Sequence, residues 1–311
     1  MNKPSVLLIL LLVFLFHSCS KQEEQSQNQP ALKYIRYYPK NELSVAAPVD
    51  IQLKEKLPQY TTNQKLPSEF IKINPNIEGD LYVENGNLLR FVPRENLEPA
   101  TTYQIIISLD ELYDNLPDNE STFEFKFKTI EPDFRIGLQS IQSYDENWQY
   151  ISAEIEASDI LNLEDIKKSI SAKQNDQDLD VRFLTTSDAT YFELVIDSIY
   201  REKEDSKVLI SWDGSTVGAK TEGSDSMIIP GKDNFKVIDV RIEKAKQPYI
   251  NINFSESLDP EQDFLGLVQL DSETDLKFET NGNVLSVYPK TKFDGEVKLK
   301  IYEGIKAEYG N

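Results

Sequence analysis

From Ala31 onward the apolar positions of this chain recur with a period of two. Val49-Asp50-Ile51-Gln52-Leu53 alternates, and so does Phe70-Ile71-Lys72-Ile73. Phe123-Glu124-Phe125-Lys126-Phe127-Lys128-Thr129 sets phenylalanine on one face and charge on the other, the pattern of a strand with one face buried. Leu81-Tyr82-Val83 and Leu88-Leu89-Arg90-Phe91-Val92-Pro93 flank the turn Glu84-Asn85-Gly86-Asn87. Asn-Gly between apolar runs predicts a hairpin, because both residues accept positive φ. Further strands are predicted at Thr102–Ile107, Tyr150–Glu156, Val181–Leu184, Tyr191–Ile196 and Lys207–Trp212. One helical stretch interrupts them, with Leu163, Ile166 and Ile170 on one face and Asn162 as its N-cap. The acidic, Gly/Ser-rich run Gly218–Ser226 reads as a surface loop. Short strands at this spacing predict an all-β chain of tandem β-sandwiches.

The pattern also repeats at long range. Glu84-Asn85-Gly86-Asn87-Leu88-Leu89-Arg90-Phe91-Val92-Pro93 returns as Thr280-Asn281-Gly282-Asn283-Val284-Leu285-Ser286-Val287-Tyr288-Pro289. Val49–Leu53 is matched by Tyr249–Phe254, and Tyr103–Ile107 by Val297–Ile301. Two copies of one module therefore flank a middle segment. The first copy closes with the Phe-rich strand at 123–129, whereas the second reaches Tyr309-Gly310-Asn311 without one. The chain is accordingly expected to be the front of a longer polypeptide, with a naturally shorter second module as the alternative.

Ahead of Ala31 the pattern changes. Lys3 precedes the unbroken apolar run Val6–Phe16, the length of a signal h-region and too short to span a bilayer. Phe16-His17-Ser18-Cys19-Ser20 follows, then the polar stretch Lys21–Gln29. This arrangement resembles a bacterial lipoprotein signal with its lipobox, which implies acylation of Cys19. Each buried methylene of an acyl chain contributes about 0.8 kcal/mol, so two or three chains on one residue anchor stably. The alternative is an ordinary secretory signal with an incidental cysteine. Glu23-Glu24 resemble the acidic export signals found behind some lipoprotein anchors. The expected organisation is a signal peptide at 1–18, a lipid-anchored flexible tether at 19–30, an Ig-like sandwich at 31–131, a macroglobulin-like sandwich at 132–235 and a second, incomplete Ig-like sandwich at 236–311.

Composition then removes much chemistry. Cys19 is the only cysteine and His17 the only histidine, so the processed chain has no histidine and no free thiol. Ser-His and Cys-His nucleophile pairs are excluded, and so are His-based zinc or iron sites. No disulfide and no internal thioester can form within this span. The chain has 33 basic and 53 acidic residues and a net charge of −20; loss of Lys3 with the leader makes it −21. Such a chain repels nucleic acid.

What remains is carboxylate chemistry, or none. Asp114, Asp118, Asn119 and Glu120 cluster, as do Glu256, Asp259, Glu261 and Asp263. Oxygen ligands at short spacing suit calcium, but no EF-hand spacing with its glycine is present, and solvated turns are the expected reading. Paired carboxylates could hydrolyse glycosides if the fold set them face to face. Trp148 and Trp212 are candidate sugar platforms; Trp212 continues an apolar strand and is expected in the core. No catalytic residue, metal site or cofactor is predicted.

Three stretches together bring in a family: Phe254-Ser255-Glu256-Ser257-Leu258-Asp259-Pro260-Glu261-Gln262-Asp263-Phe264-Leu265-Gly266-Leu267-Val268, Val208-Leu209-Ile210-Ser211-Trp212-Asp213-Gly214, and the repeated Asn-Gly-Asn-strand-Pro. With the lipobox they resemble the N-terminal region of bacterial alpha-2-macroglobulin-like lipoproteins, over nearly all of residues 31–311. Single modules resemble the bacterial Ig-like domain with an F-S-x-x-L-D strand end. The resemblance implies a chain of sandwiches, a protease-sensitive bait segment and often a Cys-x-Glu-Gln thioester. No Cys-x-Glu-Gln is present here, and no segment reads as an extended bait. The implied role is a non-enzymatic, lipid-anchored scaffold of a protease trap at the outer membrane, periplasmic or surface-facing. Its expected partners are membrane lipid through Cys19 and host or competitor proteases through the remainder of the protein. A surface Ig-array binding glycan or a partner protein is the alternative, and a carboxylate hydrolase the third reading.

Overall fold

The computed structural model describes residues 29–184, 189–271, 275–293 and 295–308. The expected signal peptide, Cys19 and most of the expected tether lie outside them. The chain divides into two compact units, the first ending at Ile130 and the second starting at Glu131.

The first unit contains β1 (Ile35–Tyr37), β2 (Glu42–Leu43), β3 (Val49–Leu53), β4 (Gln64–Leu66), β5 (Ile71–Asn74), β6 (Gly79–Glu84), β7 (Leu88–Pro93), β8 (Thr102–Ser108) and β9 (Thr122–Thr129). They form a five-stranded sheet of order β1-β3-β7-β6-β4 and a four-stranded sheet of order β2-β9-β8-β5. The period-two alternation decides which side is covered. Val49, Ile51 and Leu53 are fully buried while Asp50 and Gln52 between them are not. Phe123, Phe125 and Phe127 of β9 are buried alike, opposite Ile107, Ile105 and Tyr103 of β8. Tyr38, just past β1, meets the rings of Phe123 and Phe125 at 5.1 and 5.2 Å between centroids. These inward faces make the core of a β-sandwich.

The second unit begins with β10 (Phe134–Ser143), β11 (Trp148–Ala157), β12 (Ile170–Gln174), β13 (Gln177–Asp178), β14 (Asp180–Phe183), β15 (Tyr191–Tyr200), β16 (Ser206–Asp213) and β17 (Glu222–Ile229). Two four-stranded sheets result, β10-β11-β15-β14 and β13-β12-β16-β17, around a core that includes Ile141, Ile151, Ile155, Ile196, Val208 and Ile210. A short helix α1 (Leu163–Lys168) starts where Asn162 Oδ1 accepts from the N–H groups of Glu164 and Asp165, and Ile166 is its buried residue. Trp212 packs on this core, as its place in an apolar strand predicts. Its ring covers Gly223 of the neighbouring strand, where a β-carbon would come within 2.8 Å of it.

The expected loop at Gly218–Ser226 is corrected in part. Residues from Glu222 onward are the edge strand β17, paired with β16 from Asp213↔Glu222 to Ser206↔Ile229. Its Ser, Asp and Glu side chains are solvated because an edge strand need bury only one face, and polar edges resist unwanted pairing. Composition alone reads such a strand as a loop.

The unit continues with β18 (Val237–Glu243), β19 (Tyr249–Phe254), β20 (Val268–Leu270), β21 (Leu276–Asn281), β22 (Val284–Pro289) and β23 (Leu299–Ile301). Sheet β18-β19-β22-β21 repeats the order of β1-β3-β7-β6, and the pair β20-β23 repeats β5-β8. The registers repeat as well. Ile51 faces Leu89 as Ile252 faces Leu285, and Ile71 faces Ile107 as Val268 faces Ile301. Even the irregularity between Ile35 and Tyr37 returns between Val237 and Asp239.

The repeated Asn-Gly-Asn motif has a structural cause. Asn85 and Gly86 both take positive φ in the first copy, while in the second only Gly282 does, in a turn one residue shorter. In both, the residue after glycine clasps the exit of the neighbouring strand. Leu53 N–H donates to Asn87 O and Phe254 N–H to Asn283 O, each at 2.8 Å. Asn87 Nδ2 returns a bond to Leu53 O, and Asn283 Nδ2 to Phe254 O.

Candidate functional site

Two constellations in the second unit stand apart from ordinary core and surface. The first is a buried polar joint between the middle sandwich and the module that follows. Arg201 directly follows β15 with a side chain only 2% exposed. Its Nη2 donates to Glu256 Oε1 at 2.7 Å and to Gly231 O at 2.8 Å, and its Nε to Pro230 O at 3.0 Å. Gln149 Nε2 donates to Ser255 O at 2.9 Å. Asn283 Nδ2 donates to Ile141 O at 2.7 Å, and Asn253 Nδ2 reaches the same carbonyl. Ile141 belongs to β10, the edge strand of its sheet, whose register to β11 shifts between Leu138 and Ile141.

A buried guanidinium is tolerated only when its charge and donors are met. Here a carboxylate and two carbonyls meet them. The connecting segment is pinned by Asp205, whose carboxylate accepts from Gly231 N–H, Asn234 Nδ2 and Lys236 Nζ. These bonds hold its pKa down to about 2.

The second constellation is an aromatic ledge on the outward face of β11 and β15. Trp148 lies directly opposite Tyr200, edge-on at 5.2 Å, and Tyr144 packs on Tyr150 at 4.7 Å. Tyr144, Trp148 and Tyr200 are 52%, 43% and 38% exposed. Polar groups frame the rings. Lys232 Nζ sits 4.9 Å from the Tyr200 ring centre, and Tyr144 Oη donates to Asp197, which also holds Arg182 at 2.7 Å. Burial pushes the Asp197 carboxyl up, but the bonds from Arg182, Ser198 N–H and Tyr144 outweigh it and leave the pKa low.

The acidic clusters are dispersed by the fold. Glu120 is taken by Lys33 Nζ at 2.6 Å and Tyr34 Oη at 2.7 Å, which lower its pKa. Asp259 caps Glu261 N–H and Asp263 caps Leu265 N–H, while Glu256 turns inward to Arg201. Among the described residues no group of three or more His, Cys, Asp or Glu side chains is placed to hold a metal ion. A depression of about 300 Å³ beside Phe264 and Phe278 includes one carboxylate, Asp263. A second, of about 590 Å³ in the first unit, includes Asp80. Cys19 lies outside the described residues.

Sequence reasoning missed Arg201, Gln149 and Asn283 as joint residues. The available signal was Arg201 directly after an apolar strand, together with a glutamate inside the F-S-x-x-L-D motif.

No family model and no curated protein matches the chain. Among solved structures it is similar to domains 1–6 of the surface layer protein SbsC, at 10% identity and a TM-score of 0.21, covering 88% of this chain and 53% of that one. It is also similar to the titin Ig tandem domains A164–A165, at 12% identity and a TM-score of 0.21, covering 61% and 89%. Protocadherin gammaB7 EC3–6 gives 9% identity and a TM-score of 0.24, covering 83% and 66%. This chain thus spans about half the length of the SbsC fragment. At such scores the all-β fold rests on the strand orders and registers given above. Among the described residues no helix is long and apolar enough to cross a membrane.

Proposed function

We propose that this chain is a lipid-anchored spacer of the cell envelope, a holder and not a catalyst, and that it forms the front part of an alpha-2-macroglobulin-like protease trap. The observation that carries the reading is the buried joint of Arg201, Glu256, Gln149 and Asn283. Directional bonds to carbonyls on both sides fix the angle and spacing of the two modules they join. A spacer needs that; a catalyst needs an open cleft with facing reactive groups. The lipobox around Cys19 and the F-S-x-x-L-D and Asn-Gly-Asn motifs add support from the sequence. In this reading bait and any thioester lie outside residues 1–311.

The anchor is tested by expressing the chain with its leader in a bacterial host with an outer membrane. The parent is expected to take up labelled palmitate and enter the detergent phase, and Cys19→Ala to lose both properties. A parent that stays unlabelled and aqueous removes the anchor. The trap is tested by exposing the full-length product to serine, cysteine and metalloproteases; a discrete cut with a mobility shift supports it, and none with any class removes it.

The aromatic ledge favours a second reading, a surface array that binds glycan. Exposed rings flanked by hydrogen-bonding groups suit the stacking and hydroxyl recognition that sugars require. Signal on a glycan array that vanishes with Trp148→Ala supports this reading, and an unchanged array signal removes it.

A further inference from the structure

Resting on the glycan reading of the aromatic ledge, we propose that this site takes acidic saccharides, pyranose rings that carry a carboxylate or a sulfate. A sugar face stacks on Trp148 and Tyr200, and Lys232 meets the anionic group. The charge of the ligand goes beyond the glycan reading, and the lipid anchor plays no part in it.

Buried neighbours hold the rings in place. Trp148 is exposed, while Gln149, the next residue of β11, is fully buried and donates to Ser255 O. Tyr200 is followed directly by Arg201, locked between Glu256 and two carbonyls. Lys232 directly follows Gly231, whose oxygen is one of those two. Trp148, Tyr200 and Lys232 are thus each one position from a fixed residue of the joint, so they lose little freedom when a ligand binds.

A bulge lies beside them. Gln149 pairs with Ile199 and Ile151 with Ile196, so Asp197 and Ser198 together oppose Tyr150. Ser198 takes a φ of 60°, a left-handed conformation that costs a serine free energy and clusters at ligand sites. At this bulge Asp197 accepts from Tyr144 Oη and Arg182, next to the exposed rings.

Charge decides the class of sugar. Arg182 and Asp197 neutralise each other at 2.7 Å and offer a donor and an acceptor for hydroxyls beside Tyr144. Lys232 differs. Its Nζ donates to Asn147 Oδ1 and Tyr200 Oη, both uncharged, and sits 4.9 Å from the Tyr200 ring centre. Among the described residues no carboxylate forms an ion pair with this half-buried ammonium. An ammonium has three donors, so one is left for a ligand, and an anionic acceptor makes the stronger bond. The net charge of −20 does not forbid such a ligand, because exposed charges farther than about 8 Å are largely screened at physiological salt. The group in contact then sets the preference.

The test titrates the full chain by calorimetry with two pairs of probes: oligogalacturonate and its methyl ester, and a sulfated malto-oligosaccharide and its unsulfated parent. Within each pair the rings are the same and only the charge differs, so the pairs separate carboxylate from sulfate. In at least one pair the charged member is expected to bind about tenfold tighter, the worth of one charge-assisted hydrogen bond. The difference is expected to shrink as salt rises. Lys232→Gln is expected to abolish it and leave the neutral member's affinity unchanged. Trp148→Ala is expected to weaken both members alike, and Leu209→Ser, on the other sheet of the sandwich, to weaken neither. Equal affinity within both pairs, or a preference that survives Lys232→Gln, overturns the acidic class while the glycan reading stands. No binding of any of the four probes also overturns it, and signal from neutral sugars on the glycan array then decides the wider reading.

Discussion

Arg201 and Glu256 form a buried ion pair at the joint. Removing Glu256 leaves a guanidinium buried with only carbonyl partners, and breaking a buried pair from one side costs about 3–5 kcal/mol. Glu256→Ala is therefore expected to lower the denaturant midpoint of the second unit by that equivalent. The double variant Arg201→Met, Glu256→Leu should recover only part of it, because Pro230 O and Gly231 O then lose their donor. The clasp asparagines give a graded comparison. Asn87 is partly exposed with one long bond, so Asn87→Ala should cost about 1 kcal/mol. Asn283 is fully buried and donates to three acceptors, so Asn283→Ala should cost at least twice as much in the same assay. Asp205 predicts a pH dependence. Its folded pKa of about 2 lies below its ordinary 3.8, so its contribution is complete above about pH 4 and is lost as pH falls toward 2. Amide exchange across 230–236 should accelerate in that window, and in Asp205→Asn the segment should exchange fast at every pH.

At the scale of elements, what the sequence revealed depended on how one-sided each strand's burial is. β3 and β9 alternate because one face meets the core and the other meets water, so their positions were readable. β17 and β18 were not. The first is polar along an edge, and the second carries the exposed Val240 and Ile242, so neither shows clean contrast. Helix α1 was readable from its cap, which satisfies two otherwise orphaned N–H groups. Asn162→Ala should cost about 1 kcal/mol, seen as a lower melting temperature of the second unit with its strand signal otherwise intact. The duplicated hairpin was legible too, but its purpose was not. A clasp joins residues about thirty positions apart, and no local pattern encodes which carbonyl a side-chain amide will find. The joint was hidden for the same reason: Arg201 and Glu256 are 55 positions apart.

For the molecule as a whole, the joint couples the middle sandwich to the module after it. Their two cores, one around Ile151 and Val208 and the other around Ile252 and Leu285, touch through groups that lose their partners if either side opens. The second unit should therefore melt in one calorimetric transition, with calorimetric and van't Hoff enthalpies in agreement. Glu256→Ala should split that transition in two. A parent that already melts in two steps shows the joint to be too weak to couple its neighbours.

The solvated edge of β17 bears on crowding. Glu222, Ser224, Asp225 and Ser226 line a border where a second copy would have to zip on to start a ribbon. Packed side by side at millimolar local density, copies meeting along that border confront like charges and hydrated hydroxyls instead of a sticky stripe. Neighbouring molecules can then stand shoulder to shoulder without polymerising through it.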